Sequence, residues 1–171
     1  MSNKKLPALR SKSRVVLDLE RHVPYFFTYI SNRLSRGASD SYRQYFGLGI
    51  TEWRVMGVIA GAPGISANQI TNSIGLDKGA VSRALAALEK SSFVVLTADP
   101  DDNRSRFARL TRSGEKVHDR IIIAALERER RLLRGLSKEE TEIFIACLRK
   151  LRGNVSYVNS YDPGEDPAVW K

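Results

Sequence analysis

The middle of this chain constrains its fold most, because two short helical patterns stand back to back there and a strand pair follows at once. Ser66-Ala67-Asn68-Gln69 is a capping box, in which the serine side chain accepts from a free amide and the glutamine reaches back. It opens a helix with Ile70 and Ile74 on one face, stopped by Gly75. Asp77 caps the next helix, where Val81, Leu85 and Leu88 recur at i, i+4 and i+7. Two helices separated by Gly75-Leu76 have the shape of a helix-turn-helix. Phe93-Val94-Val95-Leu96 and Arg106 to Leu110 then read as strands on either side of the polar turn Asp99-Pro100-Asp101-Asp102-Asn103, a hairpin.

The flanking segments are helical. Residues 1–16 are polar and basic and read as a flexible arm. Residues 17–47 hold a first helix, with Pro24 tolerated in its first turn and Phe26, Ile30 and Leu34 at helical spacing. Gly47 and Gly49 break that pattern, and Thr51 is expected to cap a second helix carrying Trp53, Met56 and Ile59. Thr111 is expected to cap a long fifth helix to about Leu133, with Val117, Ile121 and Ala125 on its buried side. Ser137-Lys138-Glu139-Glu140 is a second capping box, opening a helix with Phe144, Leu148 and Leu151 at i, i+4 and i+7. The tail, 154–171, is rich in Asn, Pro, Gly and Asp and reads as extended or disordered. The fold class is therefore mainly α with a small β wing: a winged helix-turn-helix domain at 48–112, with helical dimerisation regions at 17–47 and 113–153.

Composition narrows the partner. Of 171 residues, 28 are Lys or Arg against 19 Asp or Glu, a net charge of +9 that favours an anionic partner, nucleic acid or a membrane surface. No apolar run approaches the ~18 residues a membrane span needs, and no apolar signal core follows Lys4, Lys5 and Arg10. The single Cys147 fits a reducing compartment, so the cytoplasm is expected. His22 and His118 lack companion cysteines or clustered carboxylates, so neither a metal nor a cofactor is expected. No phosphate-binding glycine loop or nucleophile elbow supports an enzyme.

With Val81, Leu85 and Leu88 facing inward, the helix after Asp77 turns Lys78, Gly79, Ser82, Arg83 and Ala86 outward. A recognition helix sets its N-terminal residues against base edges in the major groove, where small side chains permit close approach. Arg83 suits a bidentate contact to guanine, and Lys78 with the helix N-terminus suits phosphate. The competing reading is a solvated face bearing a few charges. At the hairpin, Arg104 and Arg106 stand where a wing would meet the minor groove, with Asp102 placed to orient Arg104. Ordinary turn charges are the alternative there, since Asp99, Asp101 and Asp102 reduce local basicity.

The stretch Asp102-Asn103-Arg104-Ser105-Arg106-Phe107-Ala108-Arg109-Leu110-Thr111 resembles the D-x-R-x-x-x-x-x-L-T wing signature of the MarR family of bacterial regulators. "DKGAVSRALAALEK" from Asp77 resembles that family's recognition helix, "TEWRVMGVIA" from Thr51 its second helix and "LTRSGEKV" from Leu110 the start of its fifth. The resemblance covers roughly residues 17–153. It implies an obligate homodimer in which the first, fifth and sixth helices interleave and two winged domains read a pseudo-palindrome in double-stranded DNA. Arg104 matches the family's wing-tip arginine and Asp102 its partner. Two departures stand out. Ser92 replaces the usual glycine after the recognition helix; a left-handed serine would cost roughly 1 kcal/mol, so a different helix ending is expected. Leu96 replaces a basic residue of the first wing strand.

MarR-like regulators commonly leave DNA when a small aromatic anion binds between the dimer helices and the winged domain. "NRLSRGAS" from Asn32 and "FGLGITEWRV" from Phe46 resemble the subgroup that senses aromatic carboxylates or their coenzyme A thioesters. Candidate effector residues are His22, Tyr25, Tyr29, Arg33, Arg36 and Trp53; the alternative makes the aromatics core and the arginines surface. Cys147, beside Phe144, Leu148 and Leu151, is expected to be buried packing. Glu127-Arg128-Glu129-Arg130-Arg131 reads as a solvated helix face. A winged-helix module that contacts protein instead of DNA is the competing function, and an apolar recognition face would mark it.

Overall fold

The computed structural model describes residues 8–11, 14–98, 106–166 and 168. Two compact units divide the chain, Met1–Ile123 and Ala124–Lys171.

In the first unit, α1 spans Val23–Phe46 with Pro24 in its first turn. It ends on Gly47, whose φ of 71° is the left-handed conformation that lets its N–H donate to the Arg43 carbonyl. α2 is Ile50–Gly61, α3 is Ala67–Ile74 and α4 is Lys78–Lys90. Thr51 does not cap α2: the N-cap is Gly49, which offers no side chain, and Glu52 supplies the first-turn carboxylate. The capping box at Ser66 forms as expected, with Gln69 N–H on the serine Oγ at 3.3 Å and Ser66 N–H on Gln69 Oε1 at 2.9 Å. The core is Val55, Met56 and Ile59 of α2, Ile70 of α3, Val81 and Leu88 of α4 and Ile121 of the fifth helix, all essentially inaccessible to solvent.

Two pairs of strands lie outside the expected hairpin's plan. β1 (Ala8–Ser11) and β2 (Arg14–Leu17) pair antiparallel within the stretch read as an arm, where Val15-Val16-Leu17 supplies strand-forming residues. The wing has three strands, not two: β3 (Ile65–Ser66), β4 (Val94–Ala98) and β5 (Arg106–Leu110), in the order β3-β5-β4. Ile65 pairs with Ala108 and Ser66 with Phe107, so the residue that caps α3 also ends a strand.

α5, Arg112–Leu132, starts on Thr111, whose Oγ1 accepts from the Gly114 N–H at 3.0 Å. Gly114 is required there: a Cβ would stand 2.0 Å from the Phe93 carbonyl oxygen.

The second unit contains the end of α5, then α6 (Lys138–Gly153) and α7 (Val155–Asn159). The Ser137/Glu140 capping box opens α6. Neither α6 nor α7 buries a residue. Cys147 is therefore exposed, correcting its expected place in packing, because the face it shares with Phe144 has nothing laid over it. The tail is more structured than its composition suggests, with α7 and a 3-10 turn at Pro163–Glu165 that Asp162 caps.

Candidate nucleic-acid interface

α4 is anchored at its start by Asp77, whose Oδ1 accepts from the Ala80 N–H at 2.8 Å. One face is buried, with Val81, Ala84, Leu85 and Leu88 inside. The other carries Lys78, Gly79, Ser82, Arg83 and Ala86, all exposed. Each inward residue meets α2 or α3, so the outward set is fixed by packing and not by preference for water.

Between α3, α4 and the wing lies a groove of about 400 Å³. Lys78, Ser82 and Ala86 line it from α4, Asn68 and Thr71 from α3, and Arg106 from the first position of β5. Asn68 and Thr71 were not picked out from the sequence; the signal was the capping box, which fixes their rotation about α3. Leu96 and Glu89 line the same groove, so it is neither uniformly basic nor uniformly polar. Arg106 is exposed, as expected of a wing residue, whereas Asp102 and Arg104 lie outside the described residues.

The end of α4 sets the wing's position. Ser92 adopts the left-handed conformation after all, at φ 57°. Its N–H donates to the Glu89 carbonyl at 2.9 Å, and the Phe93 N–H donates to the Leu88 carbonyl at 2.9 Å. That pair is a Schellman ending with serine where glycine is usual. The strain is offset at the Ser92 carbonyl, which accepts from both Thr111 Oγ1 at 2.7 Å and Ser113 Oγ at 2.8 Å. Thr111 N–H also donates to the Phe93 carbonyl at 3.0 Å. The Leu110-Thr111 part of the signature thus ties the recognition helix, the wing and α5 together at one point.

The expected effector residues fall into two groups. Tyr25, Tyr29 and Arg33 form a stripe at i, i+4 and i+8 on α1, the tyrosine rings 6.1 Å apart and the guanidinium 5.9 Å from the Tyr29 ring centre. Both tyrosines are exposed, and so is Arg36. His22, just before the helix, has a buried Nδ1 with no hydrogen-bond partner. Trp53 is placed elsewhere: its ring packs on Tyr42 at 6.2 Å and on His118 of α5 at 5.3 Å. Tyr42 is thirteen residues beyond Tyr29, about 20 Å along the helix, so Trp53 does not complete the tyrosine stripe. Among the described residues, no group of three or more potential ligands is placed to hold a metal ion. No described helix is long and apolar enough to cross a membrane.

A helix-turn-helix followed at once by a three-stranded antiparallel wing, with the second helix presenting small and cationic side chains, defines a winged helix-turn-helix protein. The sequence model of the MarR family matches residues 46–105. Over 100 residues the chain is 33% identical to the transcriptional regulator HosA of Escherichia coli O111:H-, a match covering 58% of this chain and 74% of HosA. It is also similar to the crystal structure of a MarR/EmrR family transcriptional regulator from Acinetobacter sp. ADP1, at 32% identity and a TM-score of 0.76, covering 82% of this chain and 99% of the other. Staphylococcus aureus MepR gives 25% identity and a TM-score of 0.69, over 78% of this chain and 98% of MepR. PcaV of Streptomyces coelicolor shares the fold at 20% identity and a TM-score of 0.67, over 81% and 96%. The chain belongs to the MarR family of winged-helix transcriptional regulators, and its relatives are regulators, not enzymes.

Proposed function

We propose that this chain is a homodimeric repressor that binds a pseudo-palindromic site in double-stranded DNA and is released by a small aromatic carboxylate or its coenzyme A thioester. The observation that carries the DNA reading is the outward face of α4, where Lys78, Ser82 and Arg83 stand exposed beside Gly79 and Ala86. An apolar face there would have favoured a protein-binding module. MepR, which shares the fold, was crystallised on DNA. In this reading Ser82 and Arg83 meet base edges, Lys78 meets phosphate, and Arg104 and Arg106, with Asp102 orienting Arg104, enter the neighbouring minor groove.

The dimer reading rests on apolar surface that one chain leaves open. On α1, Phe26, Phe27, Ile30 and Leu34 are exposed, as are Ile143, Phe144 and Leu151 on α6. A two-fold pairing buries both sets at once. In this scheme 48–112 reads DNA while 17–47 and 113–153 join the protomers.

The effector reading is supported by the Tyr25–Tyr29–Arg33 stripe. A ring can stack on the tyrosines while Arg33 or Arg36 pairs with a carboxylate or a nucleotide phosphate, and His22 Nδ1 is free for a hydrogen bond. PcaV was crystallised with its natural ligand. Release follows only if the ligand favours a dimer whose recognition helices have the wrong spacing.

Fluorescence anisotropy on duplexes selected by the protein from a random pool tests the first claim. The logarithm of affinity falls linearly with that of salt, each phosphate contact contributing roughly −0.9 to the slope. Binding that is flat in salt defeats it. Adding aromatic acids and their coenzyme A thioesters to the bound complex tests the second; a panel that releases nothing, with Tyr29→Ala indistinguishable from wild type, defeats that part alone.

A further inference from the structure

α4 carries a glycine in its first turn that its backbone does not require. Gly79 is absent from the residues with positive φ, so any L-residue fits its conformation. It is exposed, so no neighbouring element crowds it. In a helix glycine is less favourable than alanine, because it loses more backbone freedom on folding. Something other than stability therefore holds the position small.

The space a side chain would occupy is already filled from two sides. A Cβ on Gly79 would lie 3.2 Å from Arg83 Nη1 and 3.1 Å from Asp77 Oδ1. Residues 79 and 83 are one helical turn apart, and helical side chains lean toward the N-terminus, so Arg83 reaches back across residue 79. The Asp77 carboxylate it faces is fixed by the cap bond to the Ala80 N–H. We propose that Gly79 is a positioning residue: it leaves a bare strip of helix over which the Arg83 guanidinium lies, drawn toward the Asp77 carboxylate and so held at the N-terminal end of α4. A side chain at 79 lifts Arg83 off that strip and turns a preset guanidinium into a freely rotating one. This inference rests on α4 reading DNA through Arg83. It assigns Gly79 a role in specificity through Arg83, in place of simple close approach of the backbone to the duplex.

The test is a double-mutant cycle on the full chain, with duplexes selected from a random pool by the wild-type protein and then varied one base pair at a time. Arg83→Ala is expected to lose about fivefold or more of the base preference at one position in each half-site. Gly79→Ala is expected to lose several-fold at that same position while Tm rises by a few degrees, because the helix itself improves. The Gly79→Ala/Arg83→Ala pair is expected to match Arg83→Ala alone. Should Gly79→Ala weaken binding as much in the Arg83→Ala background as in wild type, the residue acts by close approach and the inference is overturned. Unchanged base preference in Gly79→Ala overturns it equally. If Arg83→Ala itself keeps every preference, the reading of α4 fails, and the inference goes with it.

Discussion

α4 and α6 carry the same apolar spacing and meet opposite ends. Val81, Leu85 and Leu88 recur at i, i+4 and i+7 in one, Phe144, Leu148 and Leu151 in the other. The stripe of α4 is covered within the chain, where Leu88 is inaccessible, while α6 buries nothing and Phe144 stays 46% exposed. Periodicity states that a helix has a face to bury; it does not state what buries it. For α4 the second layer comes from α2 and α3. For α6 it has to come from elsewhere, and the proposed dimer supplies it.

Paired substitutions test that contrast. Leu88→Ala removes a side chain from a closed core, so it should cost about 2–5 kcal/mol in urea denaturation, by lost burial plus a cavity. That cost resides in the single chain, so it should persist when protein concentration is varied. A cost below about 1 kcal/mol would mean the closed domain is far looser than its packing. Ile143, 65% exposed on α6, should behave in the other way. In an isolated chain, Ile143→Asp would be an ordinary surface change, worth within about 0.5 kcal/mol. At a two-fold interface it buries a charge against apolar surface, so sedimentation should show the dimer dissociating at least about tenfold more readily. An unchanged sedimentation profile would leave α6 exposed for a reason other than pairing.

A third substitution probes the joint between reader, wing and α5. Ser92→Gly relieves the left-handed strain and should raise stability by roughly 1 kcal/mol. The carbonyl that accepts from Thr111 and Ser113 is backbone, so those bonds survive the change. Destabilisation on thermal melting would mean that the serine side chain matters in a way its hydrogen bonds do not reveal.

The same contrast explains what could be read in advance. Caps are local, so Ser66 with Gln69, Asp77 with Ala80 and Ser137 with Glu140 were legible from residue type and spacing. The outward face of α4 followed from its inward one. β3 was missed because two residues hold no periodicity, and only pairing with Ala108 and Phe107 makes them a strand. The left-handed Ser92 was missed because what offsets it comes from Thr111 and Ser113, some twenty residues away. Trp53 was grouped with the α1 tyrosines on chemistry alone, whereas packing assigns it to Tyr42 and His118. Cys147 was assigned to packing on the strength of its apolar neighbours, which are themselves uncovered.

The smallest effect separates the regions by the forces they use. The described core of the first unit is apolar, with no buried polar or charged residue, so its packing carries no titratable group. In the second unit Glu127 accepts from Arg130 Nε at 2.7 Å and Arg131 Nε at 2.6 Å on the surface of α5. Those two hydrogen bonds hold its carboxyl down to about 2, from an ordinary 4.5. A depressed carboxylate contributes its stabilisation above the unfolded value and loses it as pH falls from about 4.5 through about 2. Side-chain NMR should therefore find the Glu127 midpoint near 2 in the folded protein, and Glu127→Gln should flatten that part of the acid limb. At neutral pH the same variant should melt within the range of any exposed substitution, since surface ion pairs are screened and pay side-chain entropy. A midpoint near 4.5 would mean the arginines are not held against Glu127, and a large loss at neutral pH would mean that this stretch of α5 is covered by more than solvent.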